Sequence, residues 1–252
     1  MLRLNNIYIK FNKNMIDEKI IFENFSLHIK KGEFVVIIGG NGAGKSTLMN
    51  LISGSILPDK GEIFIDSQNV TNLHEYQRAK FIGRVFQDPL KGSAPNLTIE
   101  ENLSLALLRD KKRSFSFGIN KNNREFFRQE LKKLELGIED RLESKMGVLS
   151  GGQRQAVTLL MACLVKPKIL LLDEHTAALD PKSSVKILEL TEKIISEHHI
   201  TALMITHNLD NARKFGSRII MIENGGIKLD TLDKEINFDD LIKRLNITVN
   251  KI

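Results

Sequence analysis

Apolar residues come in short, sharply bounded runs along this chain. Phe34-Val35-Val36-Ile37-Ile38 and Ile169-Leu170-Leu171-Leu172 are unbroken and of strand length. Such runs read as strands buried on both faces of a parallel sheet. Residues 203–206 predict a third strand, and residues 63–65 a short one after the turn Pro58-Asp59-Lys60-Gly61. Elsewhere the apolar spacing is helical. A helix over 45–52 stops at Gly54, a residue suited to a left-handed C-cap. A helix over 181–198 starts behind Asp180, with Pro181 at its first position. A short helix ends near Gly216. Residues 219–222 and 227–229 flank Asn224-Gly225, a two-residue hairpin signal.

Alternating strands and helices predict an α/β fold with a mostly parallel sheet. Residues 90–165 break that rhythm and read as helices alone. Thr98 with Glu101 forms one capping box, residues 122–136 form another helix, and Ser150 with Gln153 caps a third that runs through Leu164. This stretch is expected to be a helical subdomain inserted into a domain spanning 1–235. Residues 236–252 are expected to form a helical tail.

Composition narrows the class. The 252 residues are 42% hydrophobic and 27% charged, which excludes a disordered chain or a fibre. No apolar run reaches the roughly 18 to 20 residues that span a bilayer, and the opening residues hold no stretch of signal-peptide length. Cys163 is the single cysteine, so no internal disulfide forms and a reducing, cytosolic compartment is expected. The net charge of +6 raises the question of an anionic partner. The excess crowds between Lys111 and Lys133, where Glu125 and Glu130 are the only acids. That run reads as a solvated helix face, a surface near anionic lipid, or a nucleic-acid patch. Nucleic acid is disfavoured, because a chain without Trp and with two Tyr has few bases-stacking platforms.

Three motifs carry chemistry. Gly39-Gly40-Asn41-Gly42-Ala43-Gly44-Lys45-Ser46-Thr47 fits G-x-x-x-x-G-K-[ST] between a predicted strand and a predicted helix. Its glycines let backbone N–H groups curl round phosphate oxygens, and the helix N-terminus adds its positive end. Lys45 reaches the outer phosphates, and the Ser46 hydroxyl ligates Mg²⁺. Asp173-Glu174 ends the second apolar strand. There Asp173 holds Mg²⁺ through water and Glu174 polarises an attacking water. In Leu149-Ser150-Gly151-Gly152-Gln153 the capping box accounts for Ser150 and Gln153. It does not account for two consecutive glycines, which cost helix stability and suit a close approach to phosphate.

In this order the three motifs resemble the Walker A, signature and Walker B sequences of the nucleotide-binding subunit of an ABC transporter. The resemblance extends over about residues 2–230. It implies a P-loop NTPase core with a mostly parallel sheet, an N-terminal antiparallel β portion and an inserted helical subdomain. It implies ATP and Mg²⁺ as cofactors. By the same resemblance Gln87, in Val85-Phe86-Gln87-Asp88-Pro89, contacts Mg²⁺ and the attacking water. Asp180 matches the loop that crosses the dimer interface, and His207 matches the histidine that reaches the γ-phosphate. Phe11 aligns with the aromatic that stacks on adenine, with Tyr8 as the neighbouring alternative. His175 stands where the family commonly has Pro, as in a bacterial importer subgroup of often unassigned substrate, some members of which are linked to aromatic amino acid uptake.

The family pattern further implies a head-to-tail dimer in which Ser150, Gly151 and Gly152 act in trans on the partner copy's ATP. It implies membrane-spanning permease subunits, a solute-binding protein, and a peripheral position on the cytoplasmic face of the plasma membrane. The expected activity is ATP hydrolysis coupled to import of a small solute, with an amino acid as a candidate. The alternatives are a non-transport ABC ATPase in assembly or nucleic-acid work, and an exporter or lipid-release ATPase.

Overall fold

A computed structural model describes residues 1–109 and 121–232. The basic residues 111–113 and the tail expected over 236–252 lie outside the described residues. The chain divides into two compact units, one made of Met1–Phe81 with the chain from Thr201 onward, the other of Ile82–Ile200. The first unit opens with β1 (Leu2–Phe11), β2 (Lys19–Ile29), β3 (Phe34–Ile38), α1 (Lys45–Ser53), β4 (Lys60–Ile65), β5 (Gln68–Asn69) and α2 (Glu75–Arg78). The second holds β6 (Ile82–Val85), α3 (Ile99–Leu107), α4 (Lys121–Lys132), α5 (Gly151–Cys163), β7 (Ile169–Asp173) and α6 (Pro181–His198). The chain returns to the first with β8 (Thr201–Ile205), α7 (Leu209–Phe215), β9 (Arg218–Glu223) and β10 (Gly226–Thr231).

In the first unit β3 lies between β8 and β9 and is parallel to both, with Ile37 opposite Ile205 and Ile220. Every residue of β3 and β8 is buried, as their unbroken apolar runs require. The hairpin β9–β10 turns at Asn224 and Gly225, both at positive φ, which matches the twist of its strands. A separate antiparallel sheet runs in the order β2-β1-β4-β5. Its long strands are absent from the pattern reading, and the reason is local. The buried set on β1 jumps from Leu2 and Leu4 to Ile7 and Ile9, with Asn6 at φ 49 and a register shift between. On β2 Asn24, at φ 56, likewise separates Phe22 from Phe25 and Leu27. Each irregularity flips the inward parity.

Helix α1 is held at its C-terminus by a charge. The fully buried Arg78 guanidinium donates to the carbonyls of Leu51 (2.6 Å), Ile52 (2.9 Å), Leu73 (2.7 Å) and Thr71 (2.9 Å). A cation at the negative end of a helix is favourable. Burial still lowers the Arg78 pKa to about 10.

In the second unit β6 and β7 pair in parallel. The helices share a core that includes Ile99, Leu103, Phe127, Leu131, Val157 and Ile187. The helix expected over 122–136 ends at Lys132 instead, and Glu135 and Gly137 then take positive φ. β6 is not among the expected strands, because Gly83 and Arg84 interrupt its apolar run. Gly83 is required there, since a Cβ would stand 2.5 Å from the Ala162 carbonyl oxygen.

Candidate functional site

In the first unit β3 delivers the chain into the phosphate loop. Gly39 has φ 153, and a Cβ on it would meet the Ile222 carbonyl oxygen at 2.2 Å. Gly44 has φ 105, and its Cβ would meet the Phe22 ring at 2.9 Å. Neither position accepts a side chain. Gly44 is also the N-cap of α1, which has no side-chain cap and no acid in its first turn. The helix start therefore offers its amides and its positive end to an anion. Lys45 is buried, and its Nζ donates to the carbonyls of Gly39 (2.8 Å) and Gly40 (2.9 Å). Asn41 and Gly42 are exposed, Ala43 is buried, Ser46 is exposed and Thr47 is half-buried.

His207 leaves β8 at the same edge. Ile37 pairs with Ile205, so Gly39 and His207 each stand two residues beyond paired positions. Both neighbours of His207 are pinned: the Thr206 amide donates to the Ile37 carbonyl (3.3 Å), and Asn208 caps α7. Phe11 ends β1 opposite Lys19, whose Nζ lies 3.9 Å from where a Gly42 Cβ would stand. The end of the β1–β2 pair thus lies beside the phosphate loop. The Tyr8 ring is engaged elsewhere, with the Lys60 ammonium 5.7 Å from its centroid.

The second unit repeats this register with different chemistry. Val85 pairs with Leu172, so Gln87 and Glu174 each stand two residues beyond paired positions. Gln87 is exposed, and Asp173 and Glu174 are half-buried. The Arg84 guanidinium lies 3.4 Å from the Asp173 carboxylate and 4.6 Å from the Phe86 ring centroid. The Phe86 carbonyl accepts from Nε2 of the buried Gln155 on α5 (3.2 Å). Sequence reasoning missed Arg84 and Gln155, since no local motif marks them and their partners are distant in the chain. Glu174 itself takes φ 46.

Ser150 caps α5 reciprocally with Gln153, at 3.2 and 3.3 Å. The turn before it is held by the Arg154 guanidinium, which donates to the carbonyls of Met146, Gly147 and Leu149. Gly151 is exposed and Gly152 half-buried, and neither has positive φ. A Cβ on Gly151 would make only ordinary contact, 3.4 Å from Leu179 Cδ2. Asp180 caps α6, its carboxylate accepting from the Ser183 amide at 3.0 Å. Those bonds with Ser183, side chain first and backbone second, hold its pKa below the usual carboxylate value.

Ser46, Gln87 and Asp173 are oxygen donors, the kind of ligand Mg²⁺ takes alongside phosphate and water. Among the described residues there is no cluster of three or more His, Cys, Asp or Glu able to hold a metal. Each side chain taken singly suits a cation completed by nucleotide oxygens. Among the described residues no helix is long and apolar enough to cross a membrane.

Comparison with known proteins identifies the family. The family described as "ABC transporter" matches residues 22–177. A tyrosine transport ATP-binding protein of Clostridioides difficile is 46% identical over all of this chain and 97% of its own length. The thiamine import ATP-binding protein ThiQ of Photorhabdus laumondii is 35% identical over 92% of this chain and 91% of its own. Among solved structures, the dimeric ATP-binding cassette MJ0796 in a post-hydrolysis state with ADP and Pi is 34% identical. It covers 92% of this chain and 98% of its own, at a TM-score of 0.78.

Proposed function

This chain belongs to the ABC transporter family as an ATP-binding subunit, and from that premise we propose how its residues hydrolyse ATP to drive import of a small solute. It is an ATPase that works as a dimer with membrane permease subunits. The relatives named for tyrosine transport and thiamine import favour import over the export and non-transport readings. The relative at 46% identity supports tyrosine or a similar aromatic amino acid as the solute. We place the subunit at the cytoplasmic face of the membrane, with about 90–165 as the inserted helical subdomain of a domain over 1–235.

The observation that carries the reading is the glycine-built phosphate loop, with buried Lys45 at an uncapped helix start. The amides from Asn41 to Thr47 cradle the phosphates, and Lys45 exchanges its loop carbonyls for phosphate oxygens. Phe11 stacks on the adenine, since the Tyr8 ring is covered by Lys60. Ser46, with Asp173 and Gln87, holds Mg²⁺, which when bound neutralises charge on the phosphates. Glu174 orients and polarises the attacking water, a general-base role worth about 10² to 10⁴-fold. Gln87 helps hold that water, and His207 donates to the γ-phosphate. Ser150, Gly151, Gly152 and Gln153 close on the ATP of the partner copy, a stabilisation of oxyanion type. Asp180 lines the same dimer interface.

The test is Glu174→Gln. The variant is expected to bind ATP, to stop hydrolysing it and to accumulate as an ATP-dependent dimer. Tagged and solubilised from its own host's membranes, it should bring down a polytopic permease. Normal turnover removes Glu174 from its role, and recovery of soluble proteins alone contradicts transport. Lys45→Ala should lose ATP affinity, and an unchanged affinity contradicts the phosphate-loop assignment.

A further inference from the structure

The segment between β7 and α6 contains a buried polar contact that the hydrolytic chemistry does not itself use. Glu174 stands at φ 46, a left-handed conformation that is unfavourable for a non-glycine residue. Such a residue persists only where its surroundings over-determine it. The Ala177 amide closes a turn onto the Glu174 carbonyl at 2.9 Å. The Ser184 hydroxyl of α6 donates to the Thr176 carbonyl at 2.8 Å. Between these ties lies His175, 2% exposed, with Nε2 at 3.1 Å from the Thr191 hydroxyl of α6.

The hydrogens on this contact can be assigned by counting. The Thr191 hydroxyl has one proton, and it donates to the Ile187 carbonyl at 2.7 Å. Towards His175 it therefore accepts, and Nε2 carries the hydrogen. Thr191 is 1% exposed and Ile187 belongs to the helical core, so the acceptor is as fixed as the core around it. An apolar ring would fill the space. Only a donor at this position fixes the ring's direction, and with it the backbone one bond from Glu174.

We propose that His175 is a positioning residue for Glu174, its Nε2–H bond to Thr191 locking the left-handed turn that aims the Glu174 carboxylate. The inference rests on the reading of Glu174 as the residue that orients water. Misplacing such a group by about 1 Å can cost on the order of 10²-fold in rate. Because nucleotide binding falls to other residues, the loss belongs in kcat and not in KM.

Three variants of the purified protein test this with ATP and Mg²⁺. Thr191→Val removes the acceptor at almost constant volume. His175→Leu removes the donor. His175→Gln restores an N–H that can reach Thr191. The first two should lower kcat by about 10-fold, with KM for ATP unchanged, and His175→Gln should recover most of the loss. Wild-type kcat in Thr191→Val and His175→Leu overturns the proposal, as does a fall in melting temperature without a fall in kcat. Equal loss in His175→Gln and His175→Leu overturns it too. If His175→Leu does not fold, Thr191→Val and His175→Gln decide. Glu174→Gln in the same assay keeps the two readings apart. If that variant is inactive while both bond-breaking variants turn over normally, only the positioning role falls. If it stays active, the role of Glu174 falls.

Discussion

In the first unit Gly39 and His207 stand two residues beyond the paired Ile37 and Ile205. In the second, Gln87 and Glu174 stand two residues beyond the paired Val85 and Leu172. Parallel pairing thus presents residues at a common level in both units, but the glycines of the two glycine-rich motifs are not alike. Gly39 and Gly44 are forced by the chain itself: their φ values are positive and a Cβ would strike the Ile222 carbonyl or the Phe22 ring. Gly151 is not forced, since φ is ordinary and the added Cβ would meet one leucine methyl at 3.4 Å. A glycine that its own fold requires explains itself by packing. One at an exposed helix start that its fold does not require, and that costs helix stability, points to something outside the chain. Under the proposed function that something is the partner copy's nucleotide.

Substitutions sharpen the contrast. The largest effect is expected at Gly39→Ala, where strain and overlap with a carbonyl add to about 3 kcal/mol or more. A urea midpoint close to that of the unsubstituted protein would contradict it. Next comes Arg78→Met, which strips four carbonyls of their donor and frees the C-terminal end of α1. About 2–4 kcal/mol should be lost, with weaker ATP binding as α1 loosens. Unchanged stability would show that the buried cation is dispensable. Gly151→Ala should leave stability unchanged or raise it by up to about 1 kcal/mol, read from the melting temperature. Marked destabilisation would return Gly151 to the class of Gly39. The smallest effect is the acid dependence of the α6 cap. Asp180 has its pKa lowered below 3.8, so its contribution is present above that value and is lost as pH falls through the lowered one. Asp180→Asn keeps a cap and should remove that dependence from an acid titration of stability.

The motifs were legible because their chemistry is contiguous: a strand, a loop with fixed glycine positions, a helix. The buried strands β3, β7 and β8 were legible because both faces are covered and no alternation is needed. β1 and β2 were not, since left-handed Asn6 and Asn24 each shift the inward parity by one. β6 was hidden by Gly83, which makes room for the Ala162 carbonyl, and by Arg84, which lies beside Asp173. His175 stood out as a departure from a family pattern. Its meaning lay sixteen residues on, in the hydroxyl of Thr191, where no local pattern reaches. The cap at Ser150 was read from spacing alone, while the Arg154 bonds that hold the turn before it came only with the fold.

On this reading Gly151 serves a nucleotide held by another copy. Sedimentation velocity of Glu174→Gln with and without ATP tests it most directly, alone and combined with Gly151→Gln. Glu174→Gln should form an ATP-dependent dimer. The double variant should be a folded monomer that still binds ATP. An ATP-dependent dimer in the double variant, or loss of its fold, would contradict it.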